Sequence, residues 1–163
     1  MIIELKNRYT LKVDNFQFRC SIGKGGIKKN KKEGDKCTPK GIFKLSKVYY
    51  RADRIKQFSC PIKKVKIQKD MGWCDDPKDK YYNKLVKNHH KIKCEKLYRN
   101  DRKYDYLIHI NHNTKKIVPF NGSAIFLHLT SNYKPTAGCV AIKKNDMEIL
   151  LKIIKRNTFI KIF

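Results

Sequence analysis

Residues 123–140, SAIFLHLTSNYKPTAGCV, are the stretch from which the fold of this chain can be worked out. The apolar run 125–129 surrounds His128 with strand-forming residues, which predicts that His128 lies near the end of a buried strand. After a polar loop, Gly138 allows the backbone to turn sharply and to approach a ligand closely. Cys139 and residues 140–142 then read as the start of the next strand. The pattern therefore predicts a cysteine that faces a histidine from the preceding strand.

A cysteine beside a histidine is typical of nucleophilic chemistry. A free thiol with a pKa of about 8.5 is only a few per cent thiolate at neutral pH, and a neighbouring imidazolium raises that fraction. His128 could protonate a leaving amine and later deprotonate an incoming nucleophile. Backbone N–H groups around Gly138 and Cys139 could stabilise an oxyanion. The alternative is that both side chains are merely buried and hydrogen-bonded, and the two residues alone do not exclude it.

Hydrophobic patterning along the rest of the chain predicts a mainly β fold. Short strand-like runs occupy residues 2–13, 16–22, 41–51, 65–68, 104–111 and 159–163. One late helix is predicted at about residues 145–156, with Asn145 as its cap, Glu148 three positions later, and an apolar stripe that includes Met147 and Leu150. These elements predict a β-sandwich or partly closed barrel with the helix packed on the sheet, as a single domain of residues 1–163.

Two motifs carry a family resemblance. GSAIFLHL (residues 122–129) and PTAGCVAI (residues 135–142) resemble the active-site segment of the YkuD-type (ErfK/YbiS/YcfS/YnhG) L,D-transpeptidase catalytic domains, and in particular the branch whose motif reads TAGCVA. Four further segments follow the same family order, so the resemblance spans about residues 20–160. They are GKGG (23–26), EGDKCTPKGIFKL (33–45), GWCDDPKDKYYN (72–83) and CEKLYRNDRKYDYLIHINHN (94–113).

The resemblance implies roles for particular residues. Cys139 matches the nucleophile and His128 the base, while the Leu129 carbonyl would orient the imidazole and the Gly138 backbone would support the oxyanion. Further candidates for substrate contact are Thr136, Trp73, Tyr82, His109 and Lys24. Of these, Trp73 and Tyr82 lie in a block that frames the family's substrate groove, His109 could reach the site from its strand, and Lys24 lies in a flanking glycine-rich loop.

The implied reaction is acyl transfer on peptidoglycan stem peptides. A Cys139 thioester would be resolved by an amine, which gives a 3→3 cross-link, or by water, which is L,D-carboxypeptidase action. No metal or organic cofactor is expected. Better-known members have a histidine where this chain has Ala137, and often an Arg or Asn where it has Ala141. These two departures leave the acyl-donor specificity open.

The charge of the chain suggests a competing class of function. Lys+Arg 39 against Asp+Glu 14 gives a formal net charge of +25, a field that attracts polyanions. Basic segments with aromatics, KVYYR (47–51) and KYYNK (80–84), would suit a nucleic-acid or wall-polymer binding module with an inactive Cys/His site. A drift in base composition would produce the same excess of lysine. A third possibility is a cysteine amidase or acyltransferase that acts on a substrate other than the wall.

Cysteine spacing and the N-terminal residues bear on the cellular compartment. The six cysteines show no CxxC rhythm, which favours reduced thiols over a disulfide framework. His89, His90 and Cys94 lack a tetrahedral metal motif, so no metal site is predicted. Residues 1–6 show no signal peptide, and no apolar run approaches the roughly 18 residues of a membrane span. The family resemblance implies the cell envelope, the missing leader allows the cytoplasm, and we expect a monomer.

Overall fold

The computed structural model describes residues 1–87 and 89–163, with His89 described by its backbone alone. The one α-helix of these residues, α1 (Lys144–Ile153), comes late in a chain of short strands, and a single 3₁₀ turn lies at His89–Lys91. The strands are β1 (Ile2–Leu5), β2 (Thr10–Val13), β3 (Phe16–Ser21), β4 (Ile27–Lys28), β5 (Thr38–Pro39), β6 (Gly41–Tyr50), β7 (Lys63–Lys66), β8 (Gly72–Cys74), β9 (Leu85–Val86), β10 (Cys94–Lys96), β11 (Tyr106–Ile110), β12 (Phe126–Leu129), β13 (Val140–Ile142) and β14 (Phe159–Ile162).

The main sheet closes on itself. Its strand order is β11-β12-β13-β3-β2-β1-β14-β6-β7, and β6 also pairs with β11. The long strand β6 achieves this because its first half pairs with β14 and its second half with β11. The predicted mainly β fold with one late helix is confirmed, and the sheet forms a closed barrel with β7 as an extra edge strand.

The main core fills the barrel and extends under α1. Met147, Leu150 and Leu151 are the buried residues of the helix, and they pack against apolar side chains of β1, β2, β12, β13 and β14. Burial of each such side chain contributes about 1.5–3 kcal/mol. The helix is therefore held by its apolar stripe, as the sequence pattern predicts.

The bounds of the helix differ from the prediction. The residue at its N-cap position is Lys143, which makes no side-chain cap hydrogen bond, so Asn145 lies inside the first turn and does not cap the helix. The predicted C-terminus at residue 156 is also wrong. Ile154 is already extended, with a ψ of 156°, and its N–H donates to the Leu150 carbonyl. The chain leaves the helix here because Ile154 turns into the main core ahead of β14.

Strand β11 is buried on both faces. Tyr106, Ile108 and Ile110 face the main core, whereas Leu107 belongs to a second apolar cluster with Trp73, Phe126 and Cys139. The second cluster lies between the barrel and a three-stranded sheet of order β10-β8-β9. The two faces of the strand thus alternate between the two clusters. Tyr104 precedes the strand and joins the second cluster.

The segment 23–40, which begins with the glycine-rich loop of Lys24, is partly built into the fold. Its strands β4 and β5 form a small parallel pair, and Gly23 bridges to Thr136 in the loop before Cys139. Thr38 is fully buried, because its hydroxyl accepts a hydrogen bond from the Gly23 N–H and donates one to the Gly138 carbonyl, both at 2.9 Å. The segment thus supports the turn that carries Cys139.

The small sheet contains a testable cysteine pair. Cys74 of β8 lies directly opposite Cys94 of β10. The Leu97 N–H donates to the Met71 carbonyl, and these two residues are each three positions from the cysteine pair. The Cys74 N–H points to the other neighbouring strand and donates to the Lys84 carbonyl. Cys74 and Cys94 therefore form a non-hydrogen-bonded pair, for which the Cα···Cα distance is about 4.5 Å, inside the range that a disulfide spans.

We expect mild oxidation to join Cys74 and Cys94. Exchange with a small-molecule disulfide would oxidise the two thiols and reduce the reagent to two thiols. Closing a loop of about 20 residues contributes about 3 kcal/mol, which corresponds to a rise in Tm of roughly 6–12 °C. Peptide mapping detects the cross-link between Cys74 and Cys94, and thermal melts of oxidised and reduced protein measure the change in Tm. Cys94→Ser is the control. An oxidised protein with an unchanged Tm and no 74–94 cross-link contradicts the prediction.

Candidate active site

Strands β12 and β13 bring His128 and Cys139 to one face of the sheet. The parallel register pairs Leu127 with Val140 and His128 with Ala141. Cys139 precedes Val140 and is therefore level with Phe126, two positions before His128. Since side chains alternate along a strand, the side chains at positions 126, 128, 139 and 141 point to the same face. Cys139 and His128 are diagonal neighbours on that face, and both line one cleft.

The imidazole of His128 has a defined tautomer. Its Nδ1 lies 2.9 Å from the carbonyl oxygen of Leu129. Because a carbonyl only accepts, Nδ1 carries the proton and donates it, which leaves Nε2 able to accept a proton. The ring of Tyr104 packs edge-on against the imidazole, with 5.4 Å between the ring centroids. These two contacts hold the orientation of the ring.

The thiol of Cys139 belongs to a buried residue that lines the cleft. Its Sγ donates to the Ala124 carbonyl at 3.2 Å and accepts from the Phe126 N–H at 3.4 Å. Among the residues that the structure describes, these are the hydrogen-bond partners of the thiol, and the imidazole of His128 is not one of them. Proton transfer between the two groups therefore requires rotation of the thiol away from Ala124.

The turn before Cys139 is held by the side chain of Thr136. The Thr136 hydroxyl accepts from the Gly138 N–H at 3.1 Å and donates to the Cys139 carbonyl at 2.6 Å. Gly138 has a φ of +139°, and a Cβ at this position would lie 2.8 Å from the Cys37 carbonyl. The turn thus requires glycine. The Gly138 N–H, expected as an oxyanion donor, is engaged with Thr136 in this structure.

The cleft has a volume of about 560 Å³ and carries charges of both signs. Glu33, Asp75 and Glu95 supply carboxylates. The cationic side chains along it are those of Lys31, Lys36, Arg99, Lys103 and Lys134. Ligands with both amino and carboxylate groups match such a surface better than simple polyanions do.

Burial favours the neutral forms of both candidate catalytic groups. Desolvation, and next the charge of Glu95, raise the pKa of the Cys139 thiol to about 12. Desolvation lowers the pKa of His128 to about 4, although the hydrogen bond to Leu129 acts in the opposite direction. A neutral thiol beside a neutral imidazole can act as a nucleophile with a general base, because the proton moves as the sulfur attacks.

Several residues of the site were not identified from the sequence. Tyr104 donates a hydrogen bond to Glu95, and both side chains line the cleft. Asn83 is buried, and its Oδ1 accepts from the Trp73 Nε1 at 2.9 Å and from the Ala124 N–H at 3.1 Å. Asn83 therefore positions the residue whose carbonyl receives the Cys139 thiol. The contact of Asn83 with Ala124 joins positions 41 residues apart, and the other two contacts link neighbouring loops and strands, so no strand or helix period indicates them.

The other sequence candidates lie around the cleft. Thr136 and Leu129 line it with His128 and Cys139. Trp73, Tyr82 and His109 are buried and do not line it. The rings of Trp73 and His109 are in tilted contact, with 4.4 Å between their centroids, and the Tyr82 hydroxyl donates to Glu33 at 2.5 Å.

Lys24 is exposed, and its backbone N–H donates to the Thr136 carbonyl. Trp73, Tyr82, His109 and Lys24 are not among the residues that line the cleft, so their contact with substrate stays a prediction. The side chain of His89, part of the His/Cys group considered for metal binding, lies outside the described residues.

A family model establishes what this arrangement belongs to. The model of the YkuD L,D-transpeptidase catalytic domain matches residues 1–162. The chain belongs to this family of transpeptidase domains. Comparison with curated proteins found no match. Within the described residues no helix is both long and apolar enough to span a membrane.

Solved structures with the same fold cover nearly the whole chain. The helical cell shape determining protein Pgp2 from Campylobacter jejuni is 15% identical with a TM-score of 0.55, and the match covers 99% of this chain and 46% of that one. Bd1075 from Bdellovibrio bacteriovorus is 17% identical with a TM-score of 0.51, over 99% and 47%. An L,D-transpeptidase from Xylanimonas cellulosilytica is 12% identical with a TM-score of 0.47, over 99% and 59%. The chain thus spans about half the length of these relatives.

Proposed function

We propose that this protein is a cysteine-dependent L,D-transpeptidase that acts on peptidoglycan stem peptides through a thioester on Cys139. The observation that carries the proposal is the placement of Cys139 and His128 on one face of adjacent strands at a shared cleft, with His128 Nε2 able to accept a proton. Membership of the family supports the reaction class. The wall substrate follows from the family and is part of the proposal.

The reaction has two halves. In the first, the Cys139 sulfur attacks the amide carbonyl of the third, diamino-acid residue of a stem peptide while His128 Nε2 takes the thiol proton. The amide bond breaks, the terminal D-residue leaves with the proton from His128, and a thioester remains. In the second half an amine of another stem peptide, or water, attacks the thioester and the thiol is restored. An amine gives a cross-link, and water gives a shortened peptide.

The charges of the cleft support a peptide rather than a polyanion. Stem peptides carry carboxylates together with free amino groups. Glu33 supplies a carboxylate that matches an ammonium, whereas Arg99 and Lys103 match a carboxylate. Burial raises the pKa of Glu95, so its neutral form is favoured. A nucleic acid has no ammonium group that could pair with the carboxylates of the cleft. The cleft thus favours the enzyme over the alternative of a binding module.

Incubation with a purified disaccharide-tetrapeptide tests the proposal. We expect mass spectrometry to detect loss of the terminal D-residue, cross-linked dimers, or both, and the ratio reports the balance of hydrolysis and transfer. A carbapenem should leave a covalent adduct on Cys139, visible by intact mass and located by peptide mapping. The measurement is repeated with the Cys74–Cys94 pair reduced, so that its redox state does not affect the result. The proposal is contradicted if neither product nor adduct forms although iodoacetamide still alkylates Cys139.

A further inference from the structure

A buried lysine lies beside the turn that carries Cys139. Lys31 is 5% exposed, and among the described residues it is the only buried lysine of this highly basic chain. Its side chain also lines the cleft. A buried ammonium is costly unless it is paired and hydrogen-bonded, and lysine is rarely found in such a position. The placement of Lys31 therefore calls for a physical explanation.

Two glycines make room for this side chain. A Cβ on Gly122 would lie 2.7 Å from Lys31 Cε and 3.0 Å from Cδ, so the aliphatic stem crosses the bare backbone there. A Cβ on Gly138 would lie 3.4 Å from Lys31 Nζ. Both glycines have a positive φ, +92° and +139°. The ammonium is thus placed against the residue that immediately precedes Cys139.

Asp35 fixes the ammonium in this position. Lys31 Nζ donates to Asp35 Oδ1 at 2.9 Å and to the Lys32 carbonyl at 3.4 Å. Asp35 is itself held by the N–H groups of Lys32 and Cys37. Burial raises the pKa of the Asp35 carboxyl, but these hydrogen bonds and the Lys31 charge outweigh it and lower the pKa to about 2. Asp35 therefore remains a carboxylate across the physiological range of pH.

Two side chains of the cleft act on the pKa of the Cys139 thiol in opposite directions. Glu95, which accepts from Tyr104, raises the pKa of the thiol, whereas the ammonium of Lys31 lowers it. His128 and Tyr104 are further titratable groups of the same cleft, and Tyr104 also interacts electrostatically with the thiol. Because the Gly138 N–H is engaged with Thr136, the backbone supplies less stabilisation of negative charge here than a glycine turn can provide.

We propose that Lys31 is a positioning residue for the reaction proposed above: its ammonium, fixed by Asp35 against Gly138, stabilises negative charge as it develops at Cys139 and on the attacked carbonyl. The inference rests on the proposed function for its catalytic consequence. Its electrostatic part concerns the thiol alone and can be measured without a peptide substrate.

Removal of the charge tests the inference. Lys31→Met keeps most of the stem, and the double variant Lys31→Met/Asp35→Asn also removes the carboxylate that would otherwise be left alone. We expect the rate of Cys139 alkylation by iodoacetamide, measured between pH 6 and 11, to fall about three- to tenfold in both variants at each pH, because less of the thiol is ionised. Turnover of the tetrapeptide should fall about tenfold in kcat with little change in KM, since the charge acts on the transition state.

Two matched variants sharpen the test. Lys36→Met removes an exposed lysine from the same cleft and should change alkylation by less than about twofold, because solvent screens its charge. Glu95→Gln should act in the opposite direction and accelerate alkylation. An unchanged rate of alkylation in the folded double variant, or an equal effect of Lys36→Met, overturns the inference.

The outcomes separate the two proposals. Alkylation that depends on Lys31, in a protein without action on stem peptides, refutes the proposed function and leaves the electrostatic role of Lys31 standing. Action on stem peptides with alkylation that is independent of Lys31 refutes the inference alone.

Discussion

Cys139→Ala is expected to retain the barrel and to lose acyl transfer altogether, by a factor on the order of 10⁴ or more. The variant lacks the sulfur that would form the thioester, and water does not replace this nucleophile. It also loses the contacts of Sγ with Ala124 and Phe126, at a cost of about 1–2 kcal/mol. A melt should therefore show a Tm only a few degrees lower, and product formation from tetrapeptide should be undetectable.

Cys20→Ala is the matched control. The Cys20 thiol is also buried, and desolvation raises its pKa to about 12, as it does for Cys139. Cys20 lies in the main core, away from the cleft. The Cys20→Ala variant should therefore be less stable than the wild type and keep its turnover within about twofold. Turnover that survives in Cys139→Ala, or that falls equally in Cys20→Ala, contradicts the assignment of Cys139 as nucleophile.

The parts of the site that could be predicted are those that lie in one continuous stretch. The apolar run before His128 and the glycine before Cys139 are local signals. They predict the two strands and the turn that precedes Cys139. The late helix was likewise evident from its apolar stripe. Its ends were not, because Ile154 continues the stripe in sequence but leaves the helix to enter the core.

The rest of the site depends on pairing between distant segments. Lys31 lies in a run of lysines and carries no local mark of burial, since the space that it fills is created by Gly122 and Gly138. Asn83 ends an acidic, aromatic segment, and its function as a hydrogen-bond hub appears only when Trp73 and Ala124 meet it. Such residues become recognisable once the closed barrel brings these segments together.

The second large effect is expected at His128. His128→Gln removes the group that can accept the thiol proton at Nε2, so kcat should fall about 10²–10⁴-fold and alkylation of Cys139 should slow as well. His109→Gln is the matched control. His109 is buried, desolvation lowers its pKa to about 4 as for His128, and it does not line the cleft, with its Nδ1 against Ser46. It should leave alkylation within about twofold of the wild type.

The dependence on pH distinguishes a base from a structural residue. His128 must be neutral to accept a proton, and burial lowers its pKa to about 4, so kcat/KM of the wild type should decline only as the pH falls through about 4. The folded state also loses stability as the pH drops from about 6.5 to 4, because an unfolded histidine binds a proton there that buried His128 and His109 do not. Melts at each pH therefore separate unfolding from loss of the base. The residual activity of His128→Gln should lack the decline near pH 4 while the protein stays folded. A decline that persists in this variant would show that another group takes the proton from Cys139. A decline centred near pH 6.5 in the wild type would show the same.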